Sequence, residues 1–200
     1  MGNRKHPKRK NIRLKHYDYS QPGFYFVTVC TQNKIKLFGE IKKGEMILNK
    51  AGKMVKKIWL EIPKIFAHTK LHEYIIMPNH FHAIIEITPQ IHVVGAESIS
   101  ARKNNAQVDM ESANNKRADM ESAPTRENNV SLPKIIQTFK RYYTIEYIKM
   151  VKQGLLPPFD KKLWQRNHYE HVIRNEQSYS KIAEYIINNP LKWEDDKYYA

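Results

Sequence analysis

The chain has 200 residues, one cysteine and a formal charge of +14, from 34 Lys and Arg against 20 Asp and Glu. The length suits one domain with room for an insertion, and the charge, spread along the whole chain, points to a polyanion such as nucleic acid. The single Cys30 excludes an internal disulfide framework, no apolar run is long enough to cross a bilayer, and the basic N-terminus lacks the apolar stretch of a secretory signal, so a cytoplasmic location is expected.

Residues 1–16 read as a basic arm, rich in Lys and Arg, that is either solvated or in contact with phosphates. After Pro22-Gly23, the aromatic and β-branched run Phe24–Thr31 predicts a buried strand. Lys36–Gly39 and Glu45–Leu48 read as a peripheral hairpin around Lys42-Lys43-Gly44. Asn49 is placed to cap a helix, because Ala51, Met54, Val55, Ile58, Trp59 and Ile62 recur at three- and four-residue steps. Pro63 ends or kinks it. Tyr74–Met77 then runs into a Pro78-Asn79 turn, and a second strand returns through Ala83–Ile87.

Residues 95–130 change character. Asp109-Met110-Glu111-Ser112-Ala113 returns ten residues later at 119–123, and large apolar residues are nearly absent. The segment reads as a flexible, repeat-containing insertion without chemistry. Ser131 is expected to cap a long helix that includes Ile135, Ile136, Phe139, Tyr142, Tyr143, Tyr147, Ile148 and Val151. Its other face carries Lys134, Lys140, Arg141, Lys149 and Lys152, and is either DNA-facing or simply solvated. Lys161–Ile173 reads as a further strand region. Asn175 caps a last helix, with Glu176 in its first turn and Ile182, Ala183, Ile186 and Ile187 turned to a core, and Pro190 stops it. The order β, hairpin, α, β, β, α, β, α predicts a ferredoxin-like α+β fold: an antiparallel sheet with helices packed on one side. Residues 17–94 and 131–194 would form this one domain.

The chemistry gathers at Met77-Pro78-Asn79-His80-Phe81-His82. Strand side chains alternate, so His80 and His82 project to the same side. Two adjacent imidazoles suit a divalent metal, although two polar residues on a solvated sheet face give the same pattern. Tyr185 and Asn189, four residues apart, share a helix face. If that face meets the histidines, His80, His82 and the Asn189 carboxamide oxygen could hold one metal, with Tyr185 about one turn away. A tyrosine oxygen could then attack a phosphodiester in line and store the bond energy as a phosphotyrosine. That bond permits rejoining without ATP, as in transposition or strand processing. No spacing favours His68, His72, His92, His168 or His171 over the pair.

These residues, with Tyr25-Phe26-Val27-Thr28, Leu163-Trp164-Gln165-Arg166, Glu170-His171-Val172-Ile173-Arg174 and Tyr185-Ile186-Ile187-Asn188-Asn189-Pro190, make the chain resemble the IS200-type tyrosine transposases of the HUH superfamily. Within these, it is most similar to the REP-associated branch. The resemblance implies His80 and His82 as metal ligands, Asn189 as the third, Mg²⁺ or Mn²⁺ as the metal, and Tyr185 as a nucleophile giving a 5′-phosphotyrosine. It implies single-stranded DNA beside a palindromic hairpin as substrate. Arg13 in the arm, Lys134, Lys140 and Arg141 on the long helix, and Arg166 and Arg174 are the DNA contacts it suggests, through shape and phosphates.

The His168-Tyr169 pair departs from the two aromatic residues usual after Trp-Gln-Arg-x, and makes Tyr169 the second choice of nucleophile. IS200 elements act as intertwined dimers and the REP-associated branch as monomers, so both states are compatible. A hairpin-binding module without catalysis is the alternative from another class. A water-using phosphodiesterase would want an Asp/Glu cluster that no stretch of the sequence suggests.

Overall fold

Alternating apolar side chains build a sheet with two buried faces. Along β1 (Gly23–Cys30), Tyr25, Val27 and Val29 point one way, and Phe26, Thr28 and Cys30 the other, all buried. Along β5 (His80–Ile87), Phe81, Ala83, Ile85 and Ile87 join the first set, and His80, His82 and Ile84 the second. This computed structural model describes residues 14, 17–89 and 130–199. The basic arm with Arg13 and the 95–130 insertion therefore lie outside the described residues, apart from Leu14 and Val130.

β4 (Thr69–Ile76), β5, β1 and β6 (Tyr169–Ile173) form one sheet in the order β4-β5-β1-β6, every neighbouring pair antiparallel. With its crossover helices this is the expected ferredoxin-like α+β arrangement. A separate hairpin of β2 (Gly39–Lys42) and β3 (Glu45–Leu48) turns through Lys43 and Gly44, both at positive φ. That conformation is what a two-residue hairpin loop demands.

Asn49 caps α1 (Lys50–Leu60) through its side-chain oxygen, which accepts from the Gly52 N–H at 3.0 Å. Gly52 itself is required by a close approach, since a Cβ there would run into the Phe38 carbonyl. Helix α1 breaks at Glu61, and Pro63 sits in the short α2 (Ile62–Ile65) that follows. α1 packs with α3 (Leu132–Lys152) on the first sheet face, where Trp59, Phe81 and Phe139 meet ring to ring at 4.9–5.5 Å. Ser131 precedes α3 in an extended conformation, yet its hydroxyl makes no capping bond. Pro133 lacks one of the donors at this end of the helix, and the Leu132 N–H goes instead to the Tyr19 carbonyl at 3.0 Å.

Two further features differ from the sequence expectation. The strand expected over 161–173 is confined to Tyr169–Ile173; Trp164 makes only an isolated bridge to Thr31. Leu163 and Trp164 are apolar because they plug the first core, not because they belong to a ladder. And while α1 and α3 form the expected helical layer, the last helix, α4 (Glu176–Asn188), lies on the other face. There Ala183 and Ile186 pack on Phe26, Ile84 and Ile173. Asn175 caps α4 by accepting from the Ser178 N–H at 2.8 Å. After α4 the chain tightens into a 3-10 segment, Asn189–Asp195, with Pro190 in its first turn. Among the described residues no helix is long and apolar enough to cross a membrane.

Candidate functional site

Because α4 covers the face that carries His80 and His82, the site is assembled between the sheet and this helix. The Pro78-Asn79 turn is held on several sides. The Met77 N–H bonds the His80 carbonyl, the Thr31 N–H and hydroxyl both bond the Asn79 carbonyl, and the Phe38 N–H bonds that of Pro78, at 2.8–3.0 Å. The sheet register sets Thr28 opposite His82 and Cys30 opposite His80.

The imidazole tautomers follow from their partners. The Asn79 amide nitrogen donates to two carbonyls, Tyr198 at 2.8 Å and Lys34 at 3.2 Å, which fixes the amide's orientation. Its oxygen therefore faces His80 Nδ1 at 2.8 Å and must accept a proton from it. Neutral His80 is left with a lone pair on Nε2, and that atom lies 3.0 Å from Nε2 of His82. His82 Nδ1 meets the Thr28 hydroxyl at 2.8 Å, a group that can either donate or accept. Thr28 thus tolerates both tautomers of His82: Nε2–H shared with His80, or Nε2 bare with Nδ1–H given to Thr28.

Both histidines are fully buried. Burial pushes His80 down to about 4, with the Asp196 carboxylate opposing the shift. Burial, and then the neighbouring His80, hold His82 well below the usual imidazole range. Both are therefore neutral near pH 7, the form that ligates a metal.

Tyr185 and Asn189 reach this pair from α4 and its end. The Tyr185 hydroxyl lies 3.2 Å from His82 Nε2 and 3.4 Å from Asp196 Oδ2, to which it donates. The Asn189 amide nitrogen donates to the same Oδ2 at 2.9 Å, while its Oδ1 is buried and has no partner. Burial, reinforced by the Asp196 charge, pushes the Tyr185 phenol up to about 12. The residue as a whole remains 40% exposed. Aromatic rings close the remaining sides: Phe26 stacks on His82 at 5.3 Å, and Tyr198 lies against His80 at 4.6 Å.

Asp196 is the member that sequence reasoning missed. Ligand atoms of His80, His82 and Asp196 all lie within 4.8 Å of one another. Cis ligands on bonds of about 2.1 Å stand about 3.0 Å apart, and this is the separation of the two Nε2 atoms. A mixed imidazole, carboxylate and carboxamide donor set suits a divalent cation, and the unpartnered Asn189 Oδ1 is the kind of buried oxygen that a cation would satisfy.

The other candidates fall elsewhere. Tyr169 lies edge-on to Phe26, with Lys197 over its ring at 5.2 Å. His168 pairs with Glu170 at 2.6 Å, and His72 with Glu86 and Tyr179; His92 lies outside the described residues. Lys134, Lys140 and Arg141 stand on α3, across the sheet from the histidines. The Lys140 ammonium is engaged with the carbonyls of Gln165 and Asn167 at 2.9 and 3.1 Å. Arg166 is exposed, and Arg174 lines a separate apolar cavity of about 370 Å³ with Phe24, His72 and Tyr179.

Fold and site together define a ferredoxin-like domain with a phenol set beside a cation-ready cluster on one sheet face. No family model matches the chain. A Haemophilus influenzae protein, described only as uncharacterized, is 39% identical over 192 residues, covering 96% of this chain and 93% of its own. The chain belongs to the same family as that protein. Among solved structures, a REP-associated tyrosine transposase bound to a REP hairpin is similar with a TM-score of 0.49 and 16% identity, over 94% of this chain and 77% of that one. A candidate transposase from Deinococcus radiodurans gives 0.45 and 15%, over 88% and 95%.

Proposed function

We propose that the protein is a metal-dependent tyrosine transposase that cleaves and rejoins single-stranded DNA at palindromic hairpin repeats. The observation that carries this reading is the 3.2 Å approach of the Tyr185 hydroxyl to His82 Nε2, in a cluster where Asn189 Oδ1 has no partner. The sequence motifs described above supply the DNA and hairpin part of the reading. His80, His82, Asn189 and Asp196 would hold Mn²⁺ or Mg²⁺. When bound, the ion supplies polarisation of the phosphodiester and stabilises charge on the departing oxygen.

The protein's own residues do the rest. Asn79 and Thr28 orient the two imidazoles. Tyr185 oxygen forms a bond to phosphorus while the bond from phosphorus to the DNA 3′ oxygen breaks. The phenol proton passes to water, which reaches Tyr185 from its exposed side. The 3′ oxygen takes a proton from water. A DNA hydroxyl attacking the phosphotyrosine reverses these steps and returns the proton to Tyr185. Exposed cations such as Arg141, Arg166 and Arg174 would meet backbone phosphates of the hairpin.

The test is incubation with labelled hairpin-bearing single strands and Mn²⁺, followed by denaturing electrophoresis. A covalent protein–DNA adduct is expected, lost in Tyr185→Phe and on chelation. An adduct that persists in Tyr185→Phe would move the nucleophile elsewhere, Tyr169 first.

A further inference from the structure

On the solvent side of Tyr185 a cleft of about 240 Å³ opens, lined by Lys181, Glu184, Tyr185, Asn188, Asn189 and Lys192. Lys181, Tyr185 and Asn188 follow one another at steps of four and three residues, so they form a continuous stripe on α4. Lys192 comes from the 3-10 segment that follows. Both lysines are exposed, and neither makes a hydrogen bond or ion pair among the described residues. That leaves two ammonium groups free at the entrance to the phenol, with Glu184 as the one carboxylate in the lining. Asn189, whose amide reaches the histidine cluster, is also part of the wall, so the cleft runs into the site itself.

We infer that this cleft seats the DNA single strand next to the bond being cut, with Lys181 and Lys192 each meeting one backbone phosphate and Asn188 offering a neutral donor and acceptor between them. The inference rests on Tyr185 as the nucleophile: a phosphorus brought to its oxygen leaves the adjoining nucleotide at the mouth of the cleft. The dimensions favour a single strand. The space is below the usual size of a pocket that encloses a whole drug-sized ligand, and a duplex could not enter it. Two ammonium groups against one carboxylate give the lining a cationic balance, which suits a polyanion held by its backbone and not read by its bases.

The salt dependence of binding tests this without metal. A fluorescein-labelled oligodeoxynucleotide with one hairpin and a single-stranded flank is titrated with the protein in EDTA over a series of NaCl concentrations. The proteins compared are wild type, Lys181→Ala, Lys192→Ala, the double variant and Lys53→Ala, whose lysine is exposed on α1 across the sheet. Each cleft lysine should lower the slope of log affinity against log salt by about 0.7, and the pair by about 1.4, while Lys53→Ala leaves it unchanged. An unchanged slope in the double variant, or an equal fall in Lys53→Ala, overturns the inference. The same preparations are then given Mn²⁺ and examined for the covalent adduct. A slope change without any wild-type adduct would sink the nucleophile reading and leave the cleft as a strand-binding site. A wild-type adduct with an unchanged slope would sink the cleft alone. A wild type that does not hold the oligonucleotide at all would overturn both.

Discussion

Replacing Asn79 separates the two things that one carboxamide does. In Asn79→Ala, His80 Nδ1 loses its acceptor and the carbonyls of Lys34 and Tyr198 lose their donor. Asn79 is 1% exposed, so water does not readily replace these partners. At about 1 kcal/mol net per hydrogen bond, the variant should be ~3 kcal/mol less stable. His80 also becomes free to change tautomer or turn its ring. Partners that orient a ligating imidazole are worth ~10–100-fold in metal affinity, or ~1.4–2.8 kcal/mol. Asn79→Asp keeps an oxygen for His80 Nδ1, but it removes the two donors and sets a buried carboxylate oxygen against the carbonyls of Lys34 and Tyr198. It should therefore lose stability while holding Mn²⁺ nearly as well as wild type. Urea unfolding gives the first quantity and calorimetric titration with Mn²⁺ the second. Equal Mn²⁺ affinity in Asn79→Ala and wild type would refute the tautomer argument, whatever happens to stability.

Asp196→Asn should weaken Mn²⁺ binding by at least ~10-fold in the same titration, since it removes the carboxylate from the cluster; unchanged binding would leave Asp196 as a neighbour only. Stability should fall on acidification, because His80 and His82 stay neutral in the fold while their unfolded counterparts take up protons. The loss begins as pH drops below the unfolded value of 6.5 and continues toward about 4, where folded His80 also titrates. For His80 alone it reaches ~2 kcal/mol at about pH 5. Urea midpoints at neutral and mildly acid pH measure it, and a His80→Gln/His82→Gln double variant should show a flatter profile. Gly52→Ala should destabilise by ~1–3 kcal/mol despite its better helix propensity, because the methyl group meets the Phe38 carbonyl. A raised urea midpoint would contradict this.

The parts of the site that obey a period were legible in the sequence. Strand alternation puts His80 and His82 side by side, and a four-residue helical step puts Tyr185 over Asn189. Asp196 obeys neither. It lies beyond Pro190, past a 3-10 segment whose irregular turn at Lys192 has no signature in the residues, so the acidic run Glu194-Asp195-Asp196 looks like any solvated tail. The role of Asn79 was hidden for another reason: its two carbonyl partners, at Lys34 and Tyr198, are remote in the chain. Leu163 and Trp164 misled because apolar residues in a loop that plugs a core resemble a strand when only composition is visible. The side of the sheet taken by α4 could not be read either, since both faces of β1 are apolar.

That double-sided burial governs what the turn before β5 can tolerate. Phe81 and Ala83 serve one interior and His80 and His82 the other, with nothing but peptide backbone between them. One extra residue between Met77 and His80 would rotate the whole strand half a turn, pressing imidazoles into oil and presenting benzyl and methyl groups to Tyr185. Length variation at Pro78-Asn79 is therefore forbidden in steps of one, and insertional scanning across this turn should return inactive, poorly folded chains where the same scan at the β2–β3 bend is tolerated.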